Sequence, residues 1–295
     1  MLDQVGLIGV GKMGRVILES LLKQHFTVVA FDPAPQARDA IIASGADYAQ
    51  HPAEVVSRTA VTIQCLPAPQ HIRESVFGPN GVLSAATPGR ILVDTSTVDP
   101  ETSREAASAL SRKGTDYLDA PILGRPSTIG HWILPVGGER EAFERAQNVL
   151  RHFTKQIVYA GPSGAGNIFK LLNQLMFSAI NGITAEVFAI AGKAGIDTDL
   201  FYRTVADSGA ATVSGLFQEC GRKITADSFE PVFPVDMLIK DAGLGIEMAR
   251  RFGTPPVIAS AVQVLNEIAS GKGLGSLDTS VLVKVYQDLY AAHNA

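Results

Sequence analysis

A glycine-rich turn between an apolar strand and an amphipathic helix is the feature that most constrains this fold. In VGLIGVGKMGRVILESLL, the apolar run Val5 to Ile8 is followed by Gly9, Gly11 and Gly14 in the arrangement G-x-G-x-x-G. A tight turn, a close approach of the backbone to a phosphate and close helix packing each require glycine, and the helix N-terminus supplies amide donors for an anion. The segment predicts a strand, a phosphate-binding turn and a helix.

A carboxylate at the end of the next apolar run makes this prediction more specific. The run ends in VVAFDP, which puts Asp32 about 20 residues further on, where a carboxylate can accept hydrogen bonds from the ribose hydroxyls of a dinucleotide. Asp32 would also repel a phosphate on that ribose, and no arginine follows it before Arg38. The two features together predict a bound dinucleotide, with NAD favoured and NADP possible.

The first half of the chain alternates short apolar runs with helical patterns, which is typical of βαβ units on a parallel sheet. After Gly166 the strand-like runs end, and helical periodicity continues with interruptions at Gly192, Gly253 and Gly271. We expect an α/β fold with an N-terminal Rossmann-type doubly wound parallel sheet in residues 1–162 and an all-helical C-terminal domain in residues 163–295. The predicted strands are Val5 to Ile8, Thr27 to Phe31, Val61 to Leu66, Arg90 to Asp94, Asp116 to Asp119, Trp132 to Val136 and Ile157 to Tyr159.

Composition excludes several classes of protein. The 295 residues are 46% hydrophobic and 18% charged, which suits one large or two moderate globular domains. A net charge of −4 gives no basic surface for nucleic acid. Cys65 and Cys220 are far apart, and no histidines have the spacing of metal ligands, so we expect neither a disulfide framework nor a metal site.

The predicted location is the cytoplasm, without a membrane partner. An apolar strand begins within a few residues of Met1, which leaves no room for a targeting peptide. The most apolar window, residues 171–191, is interrupted by Asn173, Gln174, Asn181 and Glu186, and such polar residues disfavour a transmembrane span.

A single lysine near the start of an apolar helix is the main catalytic candidate. In GPSGAGNIFKLLNQLM, Lys170, Asn173, Gln174 and Phe177 are spaced i, i+3, i+4 and i+7 and share one helical face. Most helical lysines extend to water, which is the alternative here. Reduction of a carbonyl by hydride leaves a developing alkoxide that needs a proton, and oxidation of the alcohol needs a base. One amine can serve both directions.

Several further motifs make the chain resemble the β-hydroxyacid dehydrogenase family, which includes hydroxyisobutyrate dehydrogenase and tartronate semialdehyde reductase. The resemblance covers nearly the whole length and implies a site in a cleft between the two domains, with a homodimer or homotetramer as the usual assembly. The motifs are GVGKMG at Gly9 to Gly14, CLP at Cys65 to Pro67, DTSTVDP at Asp94 to Pro100, GAGNIFKLLNQ at Gly164 to Gln174, KDAGLGIEMA at Lys240 to Ala249 and GLGSLDTS at Gly273 to Ser280.

The resemblance also implies roles for single residues. Lys170 would be the general acid and base. The substrate would contact Ser96, Gly124, Arg125, Asn173 and Gln174, and the cofactor would contact Gly9, Gly11, Lys12, Met13, Gly14, Asp32, Leu66, Pro67, Thr97 and Lys240. Two local alternatives remain: Thr97 also fits a helix N-terminus, and Lys240 with Asp241 also fits a surface ion pair.

The loop DAPILGRPSTIGHWILPVGG departs from the family pattern. Leu123 stands where a serine is common and Arg125 where a glycine is common, so one hydroxyl donor is lost and a guanidinium is gained. Arginine binds carboxylate, sulfonate or phosphate through two parallel hydrogen bonds, which would let Arg125 take over part of the anchoring of a small anionic substrate. The alternative is an arginine pointing to solvent. His131 and Trp132 fill positions usually taken by small residues, and we expect His131 to close a strand end rather than act as a second acid.

The predicted activity is hydride transfer between a nicotinamide cofactor and a small β-hydroxy acid or its semialdehyde. An imine reductase is an alternative, since that sister group shares the two-domain plan, but Lys170 disfavours it. A non-catalytic NAD-binding scaffold or sensor is the alternative from another class. The scaffold or sensor alternative stays open because Leu123 and Gln174 depart from the family pattern.

Overall fold

The computed structural model describes residues 4–210, 212 and 214–291, with side chains to residue 288. The described residues form two compact units, which divide between Lys170 and Leu171. The predicted boundary after residue 162 stays a prediction.

The first unit is an eight-stranded sheet with helices on both faces, which confirms the predicted fold class. Its strands lie in the order β3-β2-β1-β4-β5-β6-β7-β8, and every neighbouring pair is parallel except β6 and β7. The strands are β1 Gln4–Ile8, β2 Thr27–Phe31, β3 Asp47–Tyr48, β4 Val61–Gln64, β5 Ile91–Asp94, β6 Asp116–Asp119, β7 Trp132–Gly137 and β8 Thr154–Gly161. The helices are α1 Lys12–Lys23, α2 Pro35–Ala43, α3 Pro52–Arg58, α4 Pro69–Phe77, α5 Pro100–Ser111 and α6 Arg140–Leu150.

Two apolar clusters, one on each face, hold this sheet in place. The first packs Ile17, Leu18 and Leu21 of α1, with residues of α6, against the sheet. The second packs α3, α4 and α5 through residues such as Val55 and Ile72. A parallel sheet covered on both faces needs apolar residues on both sides of each strand, and the interior strands β4 and β5 are buried throughout.

The parallel order fixes where loop residues collect. The carboxyl ends of β2, β1, β4, β5 and β6 lie along one edge of the sheet, the edge where ligands bind in doubly wound folds. β2 and β6 are four inter-strand spacings apart, which is about 19 Å and suits an extended ligand. Every predicted cofactor residue except Lys240 follows one of these strands.

The second unit is helical. It contains most of α7 Ala165–Lys193, which begins in the first unit, together with α8 Thr198–Asp207, α9 Gly215–Thr225, α10 Val235–Arg251, α11 Val257–Ala269 and α12 Leu282–Ala291. Its core packs Phe188, Phe217 and Val235 with residues of the last helix.

Helix α7 is long and apolar enough to cross a membrane by length and composition alone. Core helices meet the same test, and 44% of its most apolar window is buried within the protein. The expectation of no membrane partner stays a prediction.

Candidate functional site

The three glycines of the first turn differ in what an added side chain would meet. Gly9 has a φ of +89°, and a Cβ there would lie 2.3 Å from the Cys65 carbonyl oxygen. A Cβ on Gly14 would lie 2.0 Å from the carbonyl oxygen of Gly9, so the helix packs directly against the turn. A Cβ on Gly11 would meet nothing within 4 Å. Gly9 and Gly14 therefore serve the fold, whereas Gly11 leaves open space in front of the helix.

This open space fits the phosphates of a dinucleotide. Gly11 is the N-cap of α1, and the first turn of the helix carries no acidic residue that would compete with an anion. The first amides of a helix lack intrahelical partners and attract negative charge. Lys12 is exposed at the first helical position, and Met13 packs partly against the core. The residues present thus suit the pyrophosphate that the sequence predicts.

Asp32 joins the glycine turn to the end of β2. One carboxylate oxygen accepts the Val10 amide at 2.8 Å, and the other accepts the Ala34 amide at 2.9 Å. Each oxygen retains a lone pair that can accept from a ribose hydroxyl. Arg38, the first arginine after Asp32, lies on α2 with its guanidinium 5.2 Å from the centre of the Tyr48 ring.

The loops after β4 and β5 are joined through Ser96. Its hydroxyl accepts the Leu66 amide at 2.8 Å, and its own amide donates to Asp94 at 2.9 Å. The Tyr117 hydroxyl donates to the other Asp94 oxygen at 2.7 Å. Burial raises the pKa of the Asp94 carboxyl despite these donors. Ser96 is 3% exposed, so its hydroxyl holds the loop that presents Leu66 rather than projecting into solvent.

Two neighbouring candidates lie nearer the surface, with Pro67 exposed and Thr97 half-buried. The alternative role of Thr97 as a helix cap is wrong. Asp99 is the N-cap of α5, because its carboxylate accepts the Thr102 amide at 2.8 Å.

Lys170 does not extend freely into water. Its Nζ donates to the carbonyl oxygen of Ile122 at 2.9 Å, and the side chain is half-buried. Ile122 lies three residues beyond β6, so the amine is held at the carboxyl edge of the sheet, the edge that also carries the glycine turn. The partner is 48 residues away in sequence, which local periodicity cannot reveal.

Asp119, which the sequence argument did not single out, holds the start of the helix that carries Lys170. Its two carboxylate oxygens accept the amides of Gly164 at 2.7 Å and Asn167 at 3.0 Å. Its side chain is fully buried, and burial raises its pKa to about 6. An acidic residue at the end of a buried strand was the available signal, since such a group needs a buried partner.

The loop after β6 is built on Trp132. Leu123 and Ile133 exchange two backbone hydrogen bonds of 3.0 and 3.3 Å, so the Leu123 amide is occupied. The indole of Trp132 donates to the Arg125 carbonyl at 2.7 Å. The indole also packs directly against Gly124, because a Cβ on Gly124 would lie only 2.1 Å from Trp132 Cδ1. The large residue that departs from the family pattern thus supports the backbone that presents Arg125.

The same loop positions Arg125 and His131 differently. The Arg125 amide donates to the Thr128 hydroxyl at 3.1 Å, and its side chain is half-buried. His131 is exposed and directly precedes β7, which fits the expected place at a strand end.

In the second unit, the remaining candidates form one polar chain. Gln174 is 5% exposed and donates to Asp241 Oδ2 at 2.6 Å. The other oxygen of Asp241 lies 2.8 Å from Lys240 Nζ, which is the pairing the sequence suggested. Asn173 is exposed and donates to the Gln174 side-chain oxygen at 3.3 Å. One N–H of Gln174 is therefore used by Asp241, and its contact with substrate stays a prediction. Among the residues described, no group of three or more histidine, cysteine or acidic side chains could hold a metal ion.

Family models match both halves of the chain. Residues 4–161 match the NAD binding domain of 6-phosphogluconate dehydrogenase, and residues 164–286 match the model described as NAD-binding of NADP-dependent 3-hydroxyisobutyrate dehydrogenase. The fold, the glycine turn and the first of these models define an oxidoreductase with a Rossmann-type NAD(P)-binding domain.

Relatives define the family more closely. The chain is 30% identical to 2-(hydroxymethyl)glutarate dehydrogenase of Eubacterium barkeri over 97% of this chain and 95% of the relative. A crystal structure of 3-hydroxyisobutyrate dehydrogenase from Salmonella typhimurium superposes with a TM-score of 0.85 and 28% identity, over 96% of this chain and 99% of that one. The Mycobacterium tuberculosis 3-hydroxyisobutyrate dehydrogenase with L-serine gives a TM-score of 0.87 and 25% identity, over 97% and 99%.

The chain belongs to the β-hydroxyacid dehydrogenases of the 3-hydroxyisobutyrate dehydrogenase type, which confirms the resemblance seen in the sequence. It is an NAD(P)-dependent dehydrogenase or reductase acting on hydroxyl groups. An imine reductase from Pseudomonas sp. has a TM-score of 0.63 and 21% identity over 95% of this chain and 98% of that one, a likeness of fold alone.

Proposed function

We propose that this enzyme interconverts a small anionic hydroxy acid and its semialdehyde or keto counterpart, with Lys170 as proton donor and acceptor. The observation that carries the proposal is the Lys170 amine held 2.9 Å from the Ile122 carbonyl oxygen, at the sheet edge that also carries the glycine turn. An ammonium group carries three N–H donors and no acceptor, which suits it to donate a proton to a substrate oxygen.

The residues of the chain divide the work as follows. Gly11 and the first amides of α1 would hold the pyrophosphate, and Asp32 would hold the adenosine ribose. Leu66, Pro67 and Thr97 would line the rest of the dinucleotide, which supplies or accepts the hydride when bound.

Lys170 acts on the substrate oxygen. In the direction of reduction, the ammonium stabilises the developing alkoxide and donates a proton to it. In the direction of oxidation, the neutral amine takes the hydroxyl proton. General acid–base help of this kind is worth about 10²–10⁴ in rate.

Arg125 would anchor the anionic group of the substrate. The Leu123 amide is occupied by Ile133 and its side chain offers no donor, so this position cannot supply the hydrogen bonds of the family's serine. Trp132 and Thr128 fix the Arg125 backbone on both sides, which reduces the entropy lost when its guanidinium binds a carboxylate. The substrate class proposed is therefore a small carboxylate or sulfonate.

The preferred cofactor is proposed to be NAD. Asp32 retains lone pairs toward a ribose hydroxyl, and its charge disfavours a ribose phosphate. Arg38, at 5.2 Å from the Tyr48 ring centre, is stacked on an aromatic face, which limits its reach toward that ribose.

The assembly is proposed to be a homodimer or homotetramer in the cytoplasm, without nucleic-acid or membrane partners. Helix α11 exposes Val257, Val264 and Ile268 at 71%, 55% and 42%, spaced as one stripe along the helix. An exposed apolar stripe of this kind favours burial against another protein surface. The net charge of −4 disfavours polyanions.

A substrate panel tests the proposal. Rates would be measured with NAD and NADP for hydroxy acids, hydroxysulfonates and amines, and with the reduced cofactors for the matching aldehydes and imines. We expect turnover of one or more anionic hydroxy acids, faster with NAD. Turnover of amines and imines alone would favour the imine reductase alternative. A blank panel together with tight NADH binding would favour the sensor.

A further inference from the structure

Asp119 belongs to a closed set of contacts between the loop after β6 and the start of α7, and this set includes the proposed proton donor, Lys170. Its carboxylate accepts two amides at the start of α7, that of Gly164 just before the helix at 2.7 Å and that of Asn167 in its first turn at 3.0 Å. One turn further along the same helix, Lys170 donates back to Ile122 at 2.9 Å, three residues after Asp119 in the chain. The segment 119–122 is thus bound to the helix at both of its ends.

The packing around Asp119 leaves little room for the helix to shift. A Cβ on Gly137 would lie 2.6 Å from the Asp119 carboxylate, and a Cβ on Gly166 would lie 2.3 Å from the Asp119 carbonyl oxygen. Only glycine at both positions allows the strand end, the next strand and the helix to approach so closely. The position of the helix start is therefore set by backbone contact with Asp119 as well as by its carboxylate.

Asn167 links this arrangement to the loop that follows β5. Its side-chain oxygen accepts the Val98 amide at 3.1 Å, and its amide donates to the Ser103 hydroxyl at 3.1 Å. The same residue gives its backbone N–H to Asp119. A helix start displaced by about 1 Å would take these bonds out of the normal range of about 2.7–3.2 Å together.

We propose that Asp119 is a positioning residue that fixes the start of α7 so that the Lys170 amine stays at the reacting oxygen. The inference rests on the proposed role of Lys170. It predicts that loss of the carboxylate slows the proton-transfer step without preventing cofactor binding, because the glycine turn and Asp32 make no contact with Asp119 among the interactions described.

The test compares kcat per NADH-binding site in five proteins: wild type, Asp119→Asn, Asp119→Ser, Lys170→Ala and Asp197→Asn. NADH sites are counted by fluorescence titration, so that unfolded protein does not enter the rate. Asn keeps the shape of Asp but turns a donor toward one of the two helix amides, whereas Ser is a good helix cap that reaches fewer donors. Asp197 is a matched control because it caps α8, accepting the Leu200 amide at 2.7 Å, on a helix without a candidate catalytic residue.

We expect both Asp119 variants to lower kcat per site by about 10- to 100-fold, because a displacement of about 1 Å of a catalytic group costs that much. The KM for the cofactor should stay close to the wild-type value, and Asp197→Asn should match wild type. If Lys170→Ala loses turnover but both Asp119 variants keep the wild-type kcat per site, the positioning role is overturned. If both Asp119 variants lose their NADH sites, Asp119 is a structural cap only, which also overturns it. Full activity of Lys170→Ala would instead reject the proposed function.

Discussion

At the scale of single residues, Arg125 is the side chain that we propose to bind the anionic group of the substrate. Its carbonyl accepts the Trp132 indole at 2.7 Å, and its amide donates to Thr128 at 3.1 Å, so its backbone is held before any ligand binds. A guanidinium on such a support can pair with an anion through two parallel hydrogen bonds. Selectivity for the charge of the substrate, rather than for its size, should therefore depend on this residue.

Replacement of Arg125 by methionine tests that dependence. A hydrogen bond between charged groups contributes about 1.5–3 kcal/mol, so kcat/KM for an anionic aldehyde should fall about 10- to 100-fold. A neutral aldehyde of similar size should be affected less than about threefold, since methionine keeps the apolar stem. Arg151→Met, at the exposed end of α6, is the control. An equal loss on both aldehydes would contradict recognition of the anion by Arg125.

Local sequence pointed to some of the candidate site residues and missed other candidates for one physical reason. The glycine turn, Asp32 and Lys170 are visible because their signals lie in spacing along one strand, turn or helix. Asp119 and Ile122 were missed because their partners lie 45 and 48 residues away, and only the folded sheet edge brings them together. Trp132 was noted as unusual, but its hydrogen bond to Arg125 depends on the bridge between Leu123 and Ile133.

At the scale of secondary-structure elements, the strand–turn–helix unit at the N-terminus separates folding from ligand binding. A Cβ on Gly14 would lie 2.0 Å from the Gly9 carbonyl oxygen, whereas a Cβ on Gly11 meets nothing within 4 Å. The same change, glycine to alanine, should therefore lower stability at Gly14 and weaken ligand binding at Gly11.

We expect Gly14→Ala to lower the melting temperature markedly, because the helix must move away from the turn. Gly11→Ala should keep a melting temperature close to wild type, since its φ of −69° suits any residue, but it should bind NADH at least tenfold more weakly because the methyl group fills the phosphate space. Thermal unfolding and fluorescence titration of the two variants check this. Unchanged NADH affinity in Gly11→Ala would contradict a pyrophosphate at that turn.

The elements themselves were predicted well where hydrophobic pattern and turn residues agreed. The strands Thr27–Phe31 and Asp116–Asp119 have their predicted bounds, because each apolar run is closed by a turn or a charged residue. β3, Asp47–Tyr48, was missed because a two-residue edge strand has no periodicity. β8, Thr154–Gly161, is longer than predicted because its polar residues pair with β7 at the edge of the sheet.

At the scale of the whole molecule, the pH dependence of stability should carry the signature of the buried Asp119. Burial outweighs the two amide hydrogen bonds and raises its pKa from 3.8 to about 6. Between these values the native state binds more protons than the unfolded state, so stability is lost as pH rises through that window. The loss across the whole of that window amounts to about 3 kcal/mol.

The measurement is the free energy of unfolding of wild type and Asp119→Asn at pH 4 and pH 7. Subtracting the variant cancels groups that do not interact with Asp119, whereas the neighbouring Asp94 charge adds a smaller part to the raised pKa of Asp119. Wild type minus variant should be smaller at pH 7 than at pH 4 by about 2.5 kcal/mol, because the unfolded carboxyl is already partly ionised at pH 4. A difference independent of pH would contradict the raised pKa of Asp119.

The fold class followed from the alternation of strands and helices, and the structure and the family models confirm it. The choice of substrate did not follow, because the loop 120–132, which we propose to bind the substrate, departs from the family at Leu123, Arg125 and Trp132. The oligomeric state stays a proposal, since an exposed apolar stripe on α11 indicates a partner surface without fixing the number of copies.

Steady-state oxidation of NADH with the best carbonyl substrate, in wild type and Lys170→Ala, tests the central claim most directly. Lys193→Ala, at the far end of the same helix, is the control. We expect Lys170→Ala to lose at least about 10²-fold in kcat while its NADH affinity stays within about twofold of wild type. A Lys170→Ala enzyme that keeps close to full turnover would contradict the account.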